Sequence, residues 1–259
     1  MRLSLCLLLL LTNPVMALPH DVEACADNNI LPPDFVIGGE GEPHRLRVCY
    51  NWGCSNTGEL LLNQEDRGFL EQLFNDPACG AGSLGLELQM IRLAVQYLET
   101  RAGEQLPIGN DLGGNHRDRH LDGAADCVDN ANNTHNYLRF LLELGYLKHW
   151  LSPPQLPIAQ TCAFCPVPQH YTAIIRPRAQ EGLFYVVDSW LLDNGSLPLV
   201  GPLEAWRKSW LLEGRQRLNP HVRLKDIQQF CQGDPSPYFI DHIQPALRDL
   251  PGLSADPAD

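Results

Sequence analysis

Apolar residues recur at helical spacing in three stretches of the chain, and two further regions carry paired strand-like runs. Between Gln64 and Phe74 the residues Phe69, Leu70, Leu73 and Phe74 fall on one side, and between Leu84 and Leu98 the positions Leu84, Leu88, Ile91, Val95 and Leu98 repeat every three or four residues. Both patterns predict helices with one face against a core. A third helix is predicted after Asp126, where Val128, Ala131, His135, Leu138 and Leu142 recur at the same spacing. Asp126 suits its N-cap, Asp129 the acidic partner of a capping box, and Gly145 its C-terminal cap. The run "NANNTHN" inside this helix is rich in poor helix formers, whose amides must find partners if the helix is to hold.

Strand signals come in two pairs. "HRLRVCYNWGCSNTGELLL" predicts two strands around a turn at Asn51-Trp52-Gly53, with Cys49 and Cys54 flanking the turn as a local disulfide. "HYTAIIRP" and "LFYVVDSW", separated by the charged segment from Arg178 to Gly182, predict an antiparallel hairpin. Between the third helix and this hairpin, "LSPPQLPIAQTCAFCPVPQ" is broken by prolines and excludes regular helix. The Gly- and Asn-rich loop "PIGNDLGGNHRDRHLDGAAD" delivers the chain to Cys127. A short helix is expected around Leu203 to Leu212.

The ends of the chain suggest its compartment. Residues 1–17 carry Arg2, an apolar run from Leu3 to Leu11, Pro14 and the small-residue site Val15-Met16-Ala17, the pattern of a secretory signal. The apolar run is shorter than the ~20 residues a membrane span requires. The expected organisation is a signal peptide at 1–17, an extended arm at 18–43, a single domain at 44–250 and a frayed tail at 251–259. The product would be exported, periplasmic or secreted, with no membrane span after cleavage.

Charge and cysteine content narrow the chemistry. The chain carries 19 basic and 31 acidic residues. This balance argues against a nucleic-acid partner, because no basic surface is available to neutralise phosphates. Eight cysteines remain beyond the signal: Cys25, Cys49, Cys54, Cys79, Cys127, Cys162, Cys165 and Cys231. In an oxidising compartment they invite a disulfide framework whose pairing the sequence does not fix.

Cys127 stands at the start of its helix, where backbone N–H groups and the helix dipole favour a thiolate and could hold an oxyanion. Asp126 and Asp129 oppose that effect, so a cationic partner is needed. His170 opens the first strand of the second hairpin and Asp188 closes the second, so pairing brings the two side by side. Cys127 would then be nucleophile, His170 general base and Asp188 the residue that orients the imidazole. Two other readings of Cys127 stay open, as half of a disulfide or as a zinc ligand with Cys162, Cys165 and His170. His116, Asp118, His120 and Asp122 are metal-like in composition only, and Trp150 and Trp190 are core residues or cleft walls. The sequons at Asn132 and Asn194 are discounted, the first because it lies within the predicted helix.

Taken together, "DCVDNANNTHNYLRFLLELGY", "HYTAII" and "GLFYVVDSW" resemble the core of the transglutaminase-like cysteine peptidase superfamily, particularly its bacterial exported members. The resemblance covers roughly residues 123–194. It implies an α+β, papain/transglutaminase-like fold, with the cysteine helix packed on an antiparallel sheet and an N-terminal helical portion. It also implies a Cys127–His170–Asp188 triad acting through an acyl-enzyme on an amide bond, a protein or peptide substrate, and no metal or organic cofactor. The alternative is a non-catalytic exported binding protein on the same fold.

Overall fold

The computed structural model describes residues 30–75, 84–114, 120–154, 158–160, 170–204 and 206–207. The signal segment 1–17, the arm up to residue 29, Cys25, Cys79, Cys162, Cys165, Cys231, His116, Asp118 and the tail 251–259 lie outside those residues, as does the stretch 208–212 of the expected last helix. No helix among the described residues is long and apolar enough to cross a membrane.

The fold is α+β, with antiparallel strands throughout. Strands β1 (Phe35–Val36), β2 (His44–Tyr50) and β3 (Asn56–Leu62) form a three-stranded sheet in the order β1-β2-β3. Helices α1 (Gln64–Asn75) and α2 (Leu84–Gln105) follow, then a 3₁₀ turn at Pro107–Asn110 and helix α3 (Cys127–Glu143). The second sheet contains β4 (Trp150–Leu151), β6 (Tyr171–Pro177), β7 (Tyr185–Asp188) and β8 (Leu199–Pro202) in the order β4-β6-β7-β8, with β5 (Ile158–Gln160) also pairing β6.

Helix α3 lies in the middle of the molecule, packed against both β2 and β6. The apolar spacing predicts one buried face, yet every residue from Val128 to Leu138 is buried. Two different kinds of surface account for this. Tyr137, Leu138, Phe140 and Leu141 join the main core together with Ala173, Ile175, Tyr185 and Val187 of the β6–β7 hairpin. The asparagines serve the other side, where there is peptide backbone to bind rather than apolar surface.

That backbone is the stretch of β2 that the short β1 leaves uncovered, and the chain leading into β1. Asn133 accepts from Cys49 N at 2.6 Å and donates to Cys49 O at 2.9 Å. Asn136 accepts from Asp34 N at 2.9 Å and donates to Asp34 O and Arg47 O at 3.0 and 2.9 Å. Asn132 accepts from Leu31 N at 3.0 Å. Buried backbone groups need partners, and where β1 is too short to supply them the helix amides do. The asparagines therefore give up some helix propensity and in return satisfy a sheet edge.

The turn joining β2 to β3 has four successive left-handed residues, with φ of 64° at Asn51, 62° at Trp52, 65° at Gly53 and 57° at Cys54. Only glycine adopts this region without cost, so the turn is held from outside. The Cys49–Cys54 disulfide closes it, as the flanking positions predict. Asn51 N donates to Ala124 O at 2.9 Å, and the buried carboxyl of Asp129 accepts from Cys54 N and Trp52 N. A strained turn thus rests directly on the first turn of α3.

Candidate functional site

The head of α3 has the predicted cap. Asp126 accepts from Val128 N at 3.0 Å and Asp129 N at 2.9 Å, and Asp129 reaches back to Asp126 N at 3.0 Å. At the other end Leu144 is the C-cap and Gly145, at φ 77°, follows it. The chain arrives at Cys127 through Gly123, at φ 89°, where a β-carbon would fall 1.8 Å from Pro107 O. Only glycine fits that approach.

The cap corrects one expectation about the helix tip. The N–H groups of Val128 and Asp129 are committed to Asp126, and Asn130 N donates to the Asp126 carbonyl at 3.1 Å. The N–H groups directed at the Cys127 sulfur are those of Tyr171 and of Cys127 itself. The Tyr171 contact places the sulfur against the first residue of β6, next in the chain to His170. Among the described residues the disulfide is Cys49–Cys54, and Cys127 is not part of it.

The thiol itself departs from what a helix tip favours. Burial pushes the Cys127 thiol up to about 12, with Asp126 and Asp188 adding to the rise and the two N–H bonds opposing it. Here desolvation outweighs the dipole. Val128, Ala131 and Tyr171 form a small apolar cluster, and Ile30 and Cys127 pack against it.

His170 and Asp188 meet as the hairpin register dictates. Ala173 pairs Val187, Ile174 pairs Val186 and Ile175 pairs Tyr185. Continuing that register puts Asp188 opposite Thr172 and Trp190 opposite His170, so His170 and Asp188 are diagonal neighbours on one face. His170 Nε2 lies 2.7 Å from Asp188 Oδ2, and the two side chains are 0% and 1% exposed. The Trp190 ring sits 4.7 Å from the imidazole. Trp190 therefore belongs to the site, whereas Trp150 is a core residue set edge-on to Tyr185 at 5.0 Å.

Several residues of the site carry no signal in the sequence. Trp206, just beyond β8, donates from Nε1 to Asp188 Oδ2 at 2.8 Å, and its ring lies 5.4 Å from that of His170. Behind the site, Ser189 bonds Thr134 of α3 at 3.0 Å and also the carboxyl of Glu99 in α2. Burial pushes Glu99 up to about 8, with Asp111 adding to the rise and bonds from Ser189 and Gly195 opposing it. Asp129 is likewise raised to about 8, by burial and then by Asp126.

His120 and Asp122 are exposed loop residues, and Asp122 accepts from Asn51 Nδ2 at 3.1 Å. Among the described residues Cys49, Cys54 and Asp129 are grouped closely enough to suit an ion, but the two sulfurs are bonded to each other rather than available as thiolates. Asn132 of the first sequon is buried in α3, and Asn194 of the second donates to Glu99 O at 3.0 Å. No family model, no curated protein and no solved structure matches this chain.

Proposed function

We propose that this chain is an exported cysteine-dependent hydrolase or acyltransferase acting on an amide or related acyl bond of a protein or peptide, on a transglutaminase-like fold. The observation that carries the reading is the buried 2.7 Å bond between His170 Nε2 and Asp188 Oδ2, one residue from the N–H bonded to the Cys127 sulfur. Asp188 fixes the imidazole tautomer, which makes Nδ1 the atom that exchanges a proton with the thiol. Because the thiol is held up to about 12, the resting nucleophile is protonated and loses its proton as it attacks.

Attack forms a bond from sulfur to the carbonyl carbon and moves the π electrons onto oxygen, where the Cys127 and Tyr171 N–H groups are the nearby donors. His170 carries the thiol proton to the leaving amine. The acyl-enzyme then passes to water, as in a peptidase or amidase, or to a second amine, as in a transglutaminase. None of these steps requires a metal or organic cofactor.

A second reading is a non-catalytic binding protein on the same fold. The deep burial of His170 and Asp188 and the raised thiol favour it. Reaction with p-nitrophenyl acetate separates the two. The catalytic reading expects a burst of nitrophenolate equal to the enzyme present and one acetyl group on Cys127, both lost in Cys127→Ser and greatly slowed in His170→Ala. A Cys127 that stays unacylated, or acylates equally fast without His170, supports the binding protein.

A further inference from the structure

We propose that Trp206 is a positioning residue that holds the Asp188 carboxylate in the orientation from which it binds His170. The inference rests on the triad reading above and adds a fourth residue to it.

Side chains alternate along β6 and β7, so the hairpin has two faces. Ala173, Ile175, Tyr185 and Val187 face the main core with α3, whereas Ile174 and Val186 pack with Leu203 and Trp206 in a separate cluster. His170 and Asp188 continue the second set. After β8 the chain crosses this second face, tied at its start by Leu203 N donating to Phe184 O at 2.9 Å. Trp206 is delivered to the end where His170 and Asp188 meet, and it is itself 4% exposed. Cys127 comes from the α3 side and Trp206 from the opposite side.

Both donors converge on the same atom. His170 Nε2 is 2.7 Å and Trp206 Nε1 2.8 Å from Asp188 Oδ2, while Oδ1 is buried with no hydrogen-bond partner among the described residues. An indole N–H only donates, so it favours the charged, accepting form of that oxygen and with it the tautomer bearing hydrogen on Nε2. Trp206 thus fixes which oxygen of Asp188 faces His170, and that oxygen is shared between the two contacts. Among the described residues, Asp188 and Asp126 both act electrostatically on the Cys127 sulfur at the head of α3.

The test measures the pH dependence of Cys127 alkylation by iodoacetamide, in which a sulfur–carbon bond forms, iodide leaves and the thiol proton is taken up by base. Four versions of the full chain are compared: unaltered, Trp206→Phe, Asp188→Asn and the double variant. Trp206→Phe keeps an aromatic ring but removes the donor. It is expected to raise the midpoint of the alkylation profile by about half to one pH unit, because the Asp188 oxygen, no longer shared, then binds His170 alone. In the Asp188→Asn background the same substitution is expected to produce no shift, since its effect passes through the carboxylate.

An unmoved midpoint in Trp206→Phe, or an equal shift in both backgrounds, overturns the proposal. Should Trp206→Phe fail to fold, the unaltered protein still decides the matter by NMR. The indole N–H resonance of Trp206 is expected to move with the same pH midpoint as alkylation, and a resonance indifferent to that transition overturns the proposal. Alkylation that ignores His170→Ala defeats the triad itself, whereas sensitivity to His170→Ala with indifference to Trp206→Phe defeats only the role given to Trp206.

Discussion

Asn133 of α3 and Cys49 of β2 are joined by two hydrogen bonds, N–H to Oδ1 at 2.6 Å and Nδ2 to carbonyl at 2.9 Å, although 84 residues separate them. The side-chain amide takes the place of a neighbouring strand. Replacing it by alanine leaves one buried donor and one buried acceptor without partners, so Asn133→Ala is expected to cost roughly 2–4 kcal/mol. Asn133→Asp keeps the acceptor but opposes an oxygen to the Cys49 carbonyl, and should cost at least as much. Urea unfolding checks both, as a lower midpoint with an unchanged slope.

The same pair marks the limit of what the sequence reveals. The capping box, the antiparallel hairpin and the meeting of its ends at His170 and Asp188 follow from local rules, and so were legible. The asparagines were legible only as a demand for partners, because nothing in "NANNTHN" says which backbone lies opposite. Trp206 left no trace, since its bond to Asp188 depends on how the chain returns after β8 rather than on any spacing. The Cys127 thiol was misjudged for a related reason. The helix dipole is a local property, whereas burial is set by tertiary packing, in which Cys127 shares a cluster with Ile30 and Tyr171, both distant in sequence.

The Cys49–Cys54 disulfide braces a turn with four left-handed residues, two of whose N–H groups, those of Trp52 and Cys54, rest on Asp129. Closing so short a loop contributes about 2 kcal/mol in the chain-entropy account. A Cys49→Ala/Cys54→Ala variant should lose about that much, read as a lower thermal midpoint. Because Asp129 also ties the turn to Asp126, the variant should show weaker protection of the α3 N-terminal amides in hydrogen exchange. Unchanged protection there would mean that the turn and the helix cap are independent.

Glu99 makes stability depend on pH. Burial raises its carboxyl from the usual 4.5 to about 8, and its neighbours include Asp111, Ser189, Gly195 and the buried hydroxyl of Tyr137. A raised folded-state pKa means the native protein holds a proton that the unfolded chain releases between those two values. The associated stability is therefore fully present below pH 4.5 and is lost as pH rises through about 8. Glu99→Gln cannot titrate, so it should match the unaltered protein in acid and exceed it by on the order of 4 kcal/mol above pH 9. The comparison needs unfolding free energies for both proteins across that range, and a constant difference would show that Glu99 does not titrate there. Asp129 is common to both proteins and cancels.

Ile30 and Cys127 pack on the same apolar cluster, Ile30 in an arm segment whose next residue is bonded by Asn132. Burial is the largest cause of the raised thiol, so uncovering the sulfur should both open a path to it and lower its pKa. Ile30→Ala is expected to speed alkylation of Cys127 by iodoacetamide several-fold near neutral pH, while the half-buried position limits the stability loss to about 1 kcal/mol. The two readouts separate the causes. Faster alkylation with nearly unchanged urea unfolding means that the arm covers the nucleophile locally, and equal rates in both proteins would show that Ile30 does not control access to it. Because alkylation requires no substrate, the outcome holds whether the acyl acceptor proves to be water, an amine or neither.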